Sequence, residues 1–367
     1  MTGLRLLACL IGAIALAPAF AKEKYDYAEL EQWVIDNGGW INTRIGLNSQ
    51  GYRGLFTKVK AESGTALAKI PASTMINCGS LDGSVTTGAL IVLREMFDKH
   101  SRFAPYMKVW PKRGEVYNTC NFPTKYLPLL ESEYWERMVN ITQDYLAATL
   151  KGEVNGELEV TVKEMVGNVK VTDEDLQYAC AIASTRYVTI EMRKRLMMVP
   201  IFDMKNHKRI CRHTTSALDD KDYMEIIAGE DVEAGDELCY SYNDQMRDDY
   251  GVLNYGFLPD LEDPPRLLQI DHHQFDPNKD TQALEEGGFH GSHAEIRDEI
   301  ARLKDIQKTL EAYDKNWDAS KWPKPGKDWY FDALVGLKQR RRTAIKYEVA
   351  RLEKLLTEPE DQPDSGL

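Results

Sequence analysis

Two stretches with strand-like patterning, separated by about one hundred residues of helical spacing, constrain this chain more than any other feature. On the N-terminal side, from about Tyr27 to Pro71, the chain reads as short strands. Trp40 to Ile45 alternates apolar and polar residues, Gly51-Tyr52-Arg53-Gly54 reads as a turn, and Ala66 to Ile70 runs into Pro71. From Thr86 to about Val188 the apolar spacing turns helical, as in Leu90, Leu93, Met96 and Phe97. Leu176, Ala179, Ile182 and Ala183 predict a buried helix over Asp173 to Arg186. Strand signals return at Met198 to Phe202, Tyr223 to Ala228 and Glu237 to Tyr242, with Glu233 to Asp236 as the turn between the last two. A β domain interrupted by a helical block is an α+β fold.

Beyond Pro259 a different pattern begins. Ser292 followed by Glu295 forms a capping box, and Ile296, Ile300, Leu303, Ile306 and Leu310 make one apolar stripe behind it. After a Pro-containing loop a second stripe runs through Leu334, Leu337, Ile345, Val349, Leu352 and Leu356, predicting a pair of helices. The acidic, Pro-rich tail 358–367 reads as disordered.

Charge narrows the partners. The net charge of −12 argues against nucleic acid, because a polyanion needs an excess of Lys and Arg on the contact face. At the N-terminus, Arg5, the apolar run Leu6 to Ala17 and the small residues around Ala19-Phe20-Ala21 have the pattern of a cleaved secretory signal over 1–21. The run is shorter than the roughly 20 residues a membrane helix requires, and no later stretch reads as a span. Cleavage removes Cys9 and leaves Cys78, Cys120, Cys180, Cys211 and Cys239, which permits at most two bridges and a free thiol. A glycosylation sequon stands at Asn140-Ile141-Thr142.

The segment Val199 to His207 ends an apolar run in short polar side chains, and Glu237 to Tyr242 places aromatics at alternate positions before Asn254-Tyr255-Gly256-Phe257. Together with Gly51 to Phe56, Ala68 to Pro71, Ser101 to Pro111 and Ser184-Thr185-Arg186, these motifs resemble, in order and spacing, a SET-domain methyltransferase. The class resembled includes the Rubisco large-subunit lysine methyltransferase and the actin histidine methyltransferase. The resemblance implies a SET β-fold over 27–258 with a helical insertion at about 86–188, then a helical substrate-binding-like domain over 259–357.

It also implies S-adenosyl-L-methionine (AdoMet) as cofactor and a protein substrate, with lysine preferred over histidine as the methylated residue. A catalytically silent SET fold that binds a protein partner is the reading from another class. Methyl transfer from a sulfonium to an amine is an in-line displacement that needs alignment rather than a metal or a covalent intermediate. By resemblance, Tyr242 orients the nucleophile and Tyr255 lines the target channel. Gly51, Arg53, Gly54, Arg186, Asn206 and His207 hold the cofactor, with Arg186 on its carboxylate.

Two features depart from the family. Asn243 stands where glycine is usual, and the loop Lys208, Arg209, Arg212 is strongly basic, which fits either an acidic partner or a solvated loop. The run Arg340-Arg341-Arg342 reads as a solvated face, with docking of an acidic substrate as the alternative. His207, Cys211 and His213 have ligand-like spacing, but no second ligand pair stands nearby, so no metal is expected. The signal places the chain in the secretory pathway. A bipartite plastid signal is disfavoured, since the SET-like segment begins too soon to leave room for a transit peptide.

Overall fold

The computed structural model describes residues 25–80, 85–153, 161–190, 194–211, 214–218, 223–243, 246–278 and 288–359. The expected signal segment, His213 and residues 360–367 of the tail lie outside them. Among the described residues no helix is long and apolar enough to cross a membrane.

The first element corrects an expectation. Residues Ala28–Asp36 form helix α1, where the sequence pattern predicts short strands from about Tyr27 onward. Leu30 and Val34 sit one turn apart and are both fully buried, while Glu29 and Glu31 favour the positive helix start.

Strands β1 (Trp40–Ile41), β2 (Thr43–Leu47), β3 (Arg53–Thr57), β4 (Ala66–Pro71) and β5 (Ile76–Ser80) follow. The turn sits earlier than predicted: Asn48 closes it with a backbone bond to Tyr52, Gly51 takes φ +80°, and Arg53 and Gly54 already belong to β3.

The helical block comprises α2 (Val85–Phe97), α3 (Ala104–Met107), α4 (Glu133–Leu150), α5 (Val162–Val166) and α6 (Asp173–Arg186). Helix α6 has the predicted bounds. Thr172 caps it in a reciprocal box with Asp175, and Leu176 and Ala179 to Ala183 are buried. Residues Tyr187–Ile190 turn into β6 rather than extending the helix to Val188.

Strand β7 (Arg195–Met198) stops short of the predicted Phe202, because Ile201 takes φ +68° and Phe202–Met204 winds into a 3-10 turn. Strands β8 (Asn206–His207), β9 (Thr214–Leu218), β10 (Tyr223–Ala228) and β11 (Glu237–Tyr240) complete the set. They form three sheets, β1-β4-β10-β9, β2-β3-β11-β8 and β5-β7-β6, so each sheet joins strands from both sides of the helical block.

C-terminally, α7 (Asp248–Tyr250) runs into a π-helical turn, Gly251–Tyr255. Helix α8 (His293–Lys315) opens on the Ser292–Glu295 capping box and pairs with α9 (Trp329–Leu355) through Ile296, Ile300, Leu303, Ile345 and Leu352. The arginine run on α9 is not a solvated face. Arg341 is buried against Asp271, while Arg342 pairs with Glu131 and Asp314.

Among the described residues the cysteines form two bridges, Cys120–Cys180 and Cys211–Cys239, and Cys78 is a buried thiol. Cys211 is therefore unavailable as a zinc thiolate.

Candidate active site

The short strand β8 lies parallel to β11, with Asn206 opposite Cys239 and His207 opposite Tyr240, and β3 lies antiparallel on the other side of β11. The Cys211–Cys239 bridge ties the chain just past His207 to the same strand. This packing brings motifs that are 150 residues or more apart in the chain into one site.

The first part of the site is an amide cluster. Asn206 Nδ2 donates to the Arg53 carbonyl at 2.8 Å and to Glu237 Oε1 at 2.7 Å. Both amide protons are thereby used, and Oδ1 remains as an acceptor. Asn48, from the turn that contains Gly51, donates to the same carboxylate at 3.3 Å. A Cβ at Gly54 would lie 2.5 Å from Glu237 Oε1 and 3.1 Å from Asn206 Nδ2, so a side chain there would displace this carboxylate–amide contact.

The second part is a buried charge pair. Arg186, at the end of α6, donates through Nη1 to Asp203 Oδ2 at 2.7 Å, and the Tyr106 hydroxyl donates to the same oxygen at 2.6 Å. Burial alone would pull the Arg186 pKa down, but Asp203 and Tyr106 outweigh it and hold it above the ordinary value. Arg186 Nε and Asp203 Oδ1 remain buried without hydrogen-bond partners. One donor and one acceptor side by side suit a zwitterionic ligand group. Arg53 stands close by: its Nη1 bonds the Val109 carbonyl at 2.7 Å, and burial and the Arg186 charge lower its pKa.

The third part is aromatic. The Tyr242 ring lies 5.0 Å from Tyr255, 5.3 Å from His207 and 6.1 Å from Phe257, centroid to centroid. The backbone N–H of Tyr242 donates to His207 Nδ1 at 3.1 Å, which assigns the imidazole hydrogen to Nε2, and the Tyr242 hydroxyl donates to the Lys205 carbonyl at 2.7 Å. Burial pushes the Tyr242 phenol up to about 12, with Arg186 opposing and Asp203 reinforcing the shift. Burial also raises Tyr255. Both hydroxyls are therefore protonated at neutral pH. The π-helical turn aims Tyr255, and Gly256 ends it at φ +79° because a Cβ there would collide with the Tyr117 carbonyl.

All eight residues singled out from the sequence thus fall on β3, its preceding turn, α6, β8, the segment after β11 or the π-helical turn. The sequence reasoning missed Asp203, Tyr106, Glu237 and Lys205. Asp203 carried a signal, a carboxylate at the end of an apolar run, whereas nothing local links Tyr106 to a partner 97 residues away. Lys205 is buried with its amine 3.5 Å from the Phe202 ring centroid, and burial pushes its pKa well below that of an ordinary lysine.

A SET-domain family model matches residues 52–243. Among solved structures, the SET domain of LSMT bound to lysine and AdoHcy aligns with a TM-score of 0.61 at 15% identity, covering 88% of this chain and 90% of that one. Rubisco LSMT bound to AdoMet gives 0.60 at 14%, covering 89% and 91%, and the LSMT SET domain with methyllysine and AdoHcy gives 0.62 at 14%, covering 91% and 93%. A sequence comparison with curated proteins found no match.

Proposed function

The chain belongs to the SET-domain family, and from that premise we propose that it is an AdoMet-dependent protein N-methyltransferase acting on lysine. The observation that carries the reading is the Tyr242, Tyr255 and His207 cluster next to the Asn206 amide cluster and the buried Arg186–Asp203 pair. The AdoMet, AdoHcy and lysine named in the LSMT structures support it.

AdoMet supplies a methyl group on a sulfonium sulfur. Arg186 Nε and Asp203 Oδ1 would hold its amino-acid end, and Gly51, Arg53, Gly54, Asn206 and His207 would line the remainder. The Tyr242 hydroxyl, already donating to the Lys205 carbonyl, stays protonated and so orients the reacting groups rather than removing a proton. The target therefore enters as a neutral amine. Carbonyl and phenol oxygens around a polarised methyl group stabilise the transition state through C–H···O contacts.

Calorimetry of AdoMet binding is the direct test. The wild type should bind, and Arg186→Ala should weaken binding by about 1.5–3 kcal/mol as a charge-assisted hydrogen bond is lost. A wild type that does not bind AdoMet would sink the enzyme reading in favour of a silent scaffold.

Tyr242→Phe keeps the ring and removes the hydroxyl. Methyl transfer should slow by about tenfold or more with AdoMet affinity nearly unchanged, as for an interaction made mainly in the transition state. Single-turnover kinetics checks this, and equal turnover would remove Tyr242 from the mechanism.

The proposal includes the secretory pathway, and the two disulfides support an oxidising compartment. Asn140 is exposed on α4. A secretory host should therefore yield chains cleaved after Ala19 or Ala21 and glycosylated at Asn140, as read by N-terminal sequencing and glycosidase shift. An intact Met1 in a cytosolic product would overturn the localisation.

A further inference from the structure

Arg209, from the loop after His207, and Arg340 of α9 meet in one cluster; Arg212 of that loop lies outside the described residues. Arg209 reaches Asp248 Oδ1 at 3.4 Å and Glu262 Oε1 at 3.3 Å, Arg266 reaches the same Glu262 oxygen at 3.2 Å, and Arg340 reaches the same Asp248 oxygen at 3.1 Å. Arg247, one residue before α7, stands within electrostatic reach of Arg266, Arg209, Asp249 and Glu262.

Two observations set this cluster apart from a self-satisfied ion network. Arg247 is 6% exposed, yet its Nε is a buried donor without a hydrogen-bond partner among the described residues. Arg209 Nη1 and Arg266 Nη2 are also buried donors without partners. Burial, then the neighbouring Arg266 charge, lowers Arg247 to about 10, the direction expected of a cation that lacks full compensation. A buried guanidinium left unpaired is costly, and a ligand oxyanion removes that cost.

The position fits a substrate contact. Arg209 lies two residues past His207, and α7 carries Tyr250, whose ring is 6.1 Å from Tyr255. Ile210 and Leu261, 76% and 71% exposed, are the chain neighbours of Arg209 and Glu262, which contact one another. Exposed aliphatic residues beside desolvated arginines are the make-up of a protein-binding patch.

We propose that Arg209, Arg247 and Arg266 form an oxyanion site that takes an acidic side chain of the protein substrate, close in sequence to the methylated residue. Among the described residues the four guanidinium groups, of Arg209, Arg247, Arg266 and Arg340, face three carboxylates, Asp248, Asp249 and Glu262, so one positive charge is left over. That excess matches a single carboxylate rather than a phosphate dianion. The assignment rests on the methyltransferase reading for the identity of its ligand, but not for the existence of the site.

Binding to the full-length protein tests it without turnover. Short fluorescein-labelled peptides with a central lysine carry one glutamate, scanned through the flanking positions, and each is titrated against its glutamine counterpart at low salt. In the wild type, glutamate at one position or two adjacent ones should tighten binding by about tenfold, as for a charge-assisted pair. The advantage should fall below about twofold, the level of an exposed ion pair, in both Arg247→Gln and Arg266→Gln. The second, more exposed variant guards against misfolding in the first.

The site is overturned if no position favours glutamate in the wild type, or if the advantage survives both substitutions. Phosphoserine at the preferred position binding more than about tenfold tighter than glutamate overturns the assignment to a carboxylate. AdoMet titration of the same preparations reports on the other reading. Glutamate preference without AdoMet binding sinks the methyltransferase and leaves the acidic-peptide site standing, whereas AdoMet binding without glutamate preference does the reverse.

Discussion

Replacing Asp203 by alanine should lower the free energy of unfolding by about 3–5 kcal/mol, the cost of breaking a buried ion pair from one side. The Asp203 side chain is 2% exposed and that of Arg186 8%, so water cannot substitute for the lost carboxylate. Tyr106, fully buried, would lose its acceptor as well. The control is the double variant Asp203→Ala with Arg186→Met. Removing both charges leaves no uncompensated ion, and much of the stability should return. Urea unfolding of the three proteins decides it, and a single variant that melts with the wild type would show that the pair contributes nothing.

Arg341→Met should also cost about 3–5 kcal/mol, and its effect should appear first in the C-terminal helices. The guanidinium grips Asp271 through two bonds of 2.8 Å and the Glu131 carbonyl through a third of 2.7 Å. It thereby joins α9 to the segment ending at Asp271 and to the 3-10 stretch Thr124–Leu130, whose C-cap is Glu131. Without it, amide exchange in α8 and α9 should accelerate ahead of exchange in the sheets. Lys346→Gln, on the exposed side of α9, should stay within about 0.5 kcal/mol of the wild type. Uniform acceleration across the whole chain would show that the contact supports the protein globally rather than the helical pair.

Patterns that repeat along the chain were legible, and pairings across it were not. Tyr223 to Ala228 alternates half-buried and buried positions, so its strand could be read locally, as could α6 with its cap and buried stripe. Helix α1 is hard to read because its nine residues bury only one pair fully, Leu30 and Val34, and Trp33-Val34-Ile35 runs on as a strand would. The Gly51 to Gly54 turn was centred too late because its two glycines serve different needs. Gly51 supplies a positive φ, while Gly54 sits in a strand where a Cβ would displace the Glu237 carboxylate.

In the site, Tyr242, Tyr255, Asn206 and His207 stood in motifs. Asp203 acquires meaning only when a helix end 17 residues earlier and a tyrosine 97 residues earlier converge on it. The arginine run looks solvated in the sequence because the carboxylates that claim it, Glu131, Asp248, Asp271 and Asp314, lie 28 residues or more away.

The strand order has a cost in time. Leu55 of β3 pairs with Leu238 of β11, and the helical block and the segments that carry Arg186, Asn206 and His207 are synthesised between them. At roughly 5–20 residues per second, the ribosome leaves that edge of β3 without its neighbour for on the order of ten to forty seconds. Helices α2 and α6 can condense during the wait, because they pack on one another before any later strand arrives. The open edge of β3 cannot, and it carries Leu55 and Phe56, both buried in the finished protein. The nascent chain is thus most exposed to strand-to-strand aggregation while its Gly51 turn is already made and the strand that packs beside β3 is still to come.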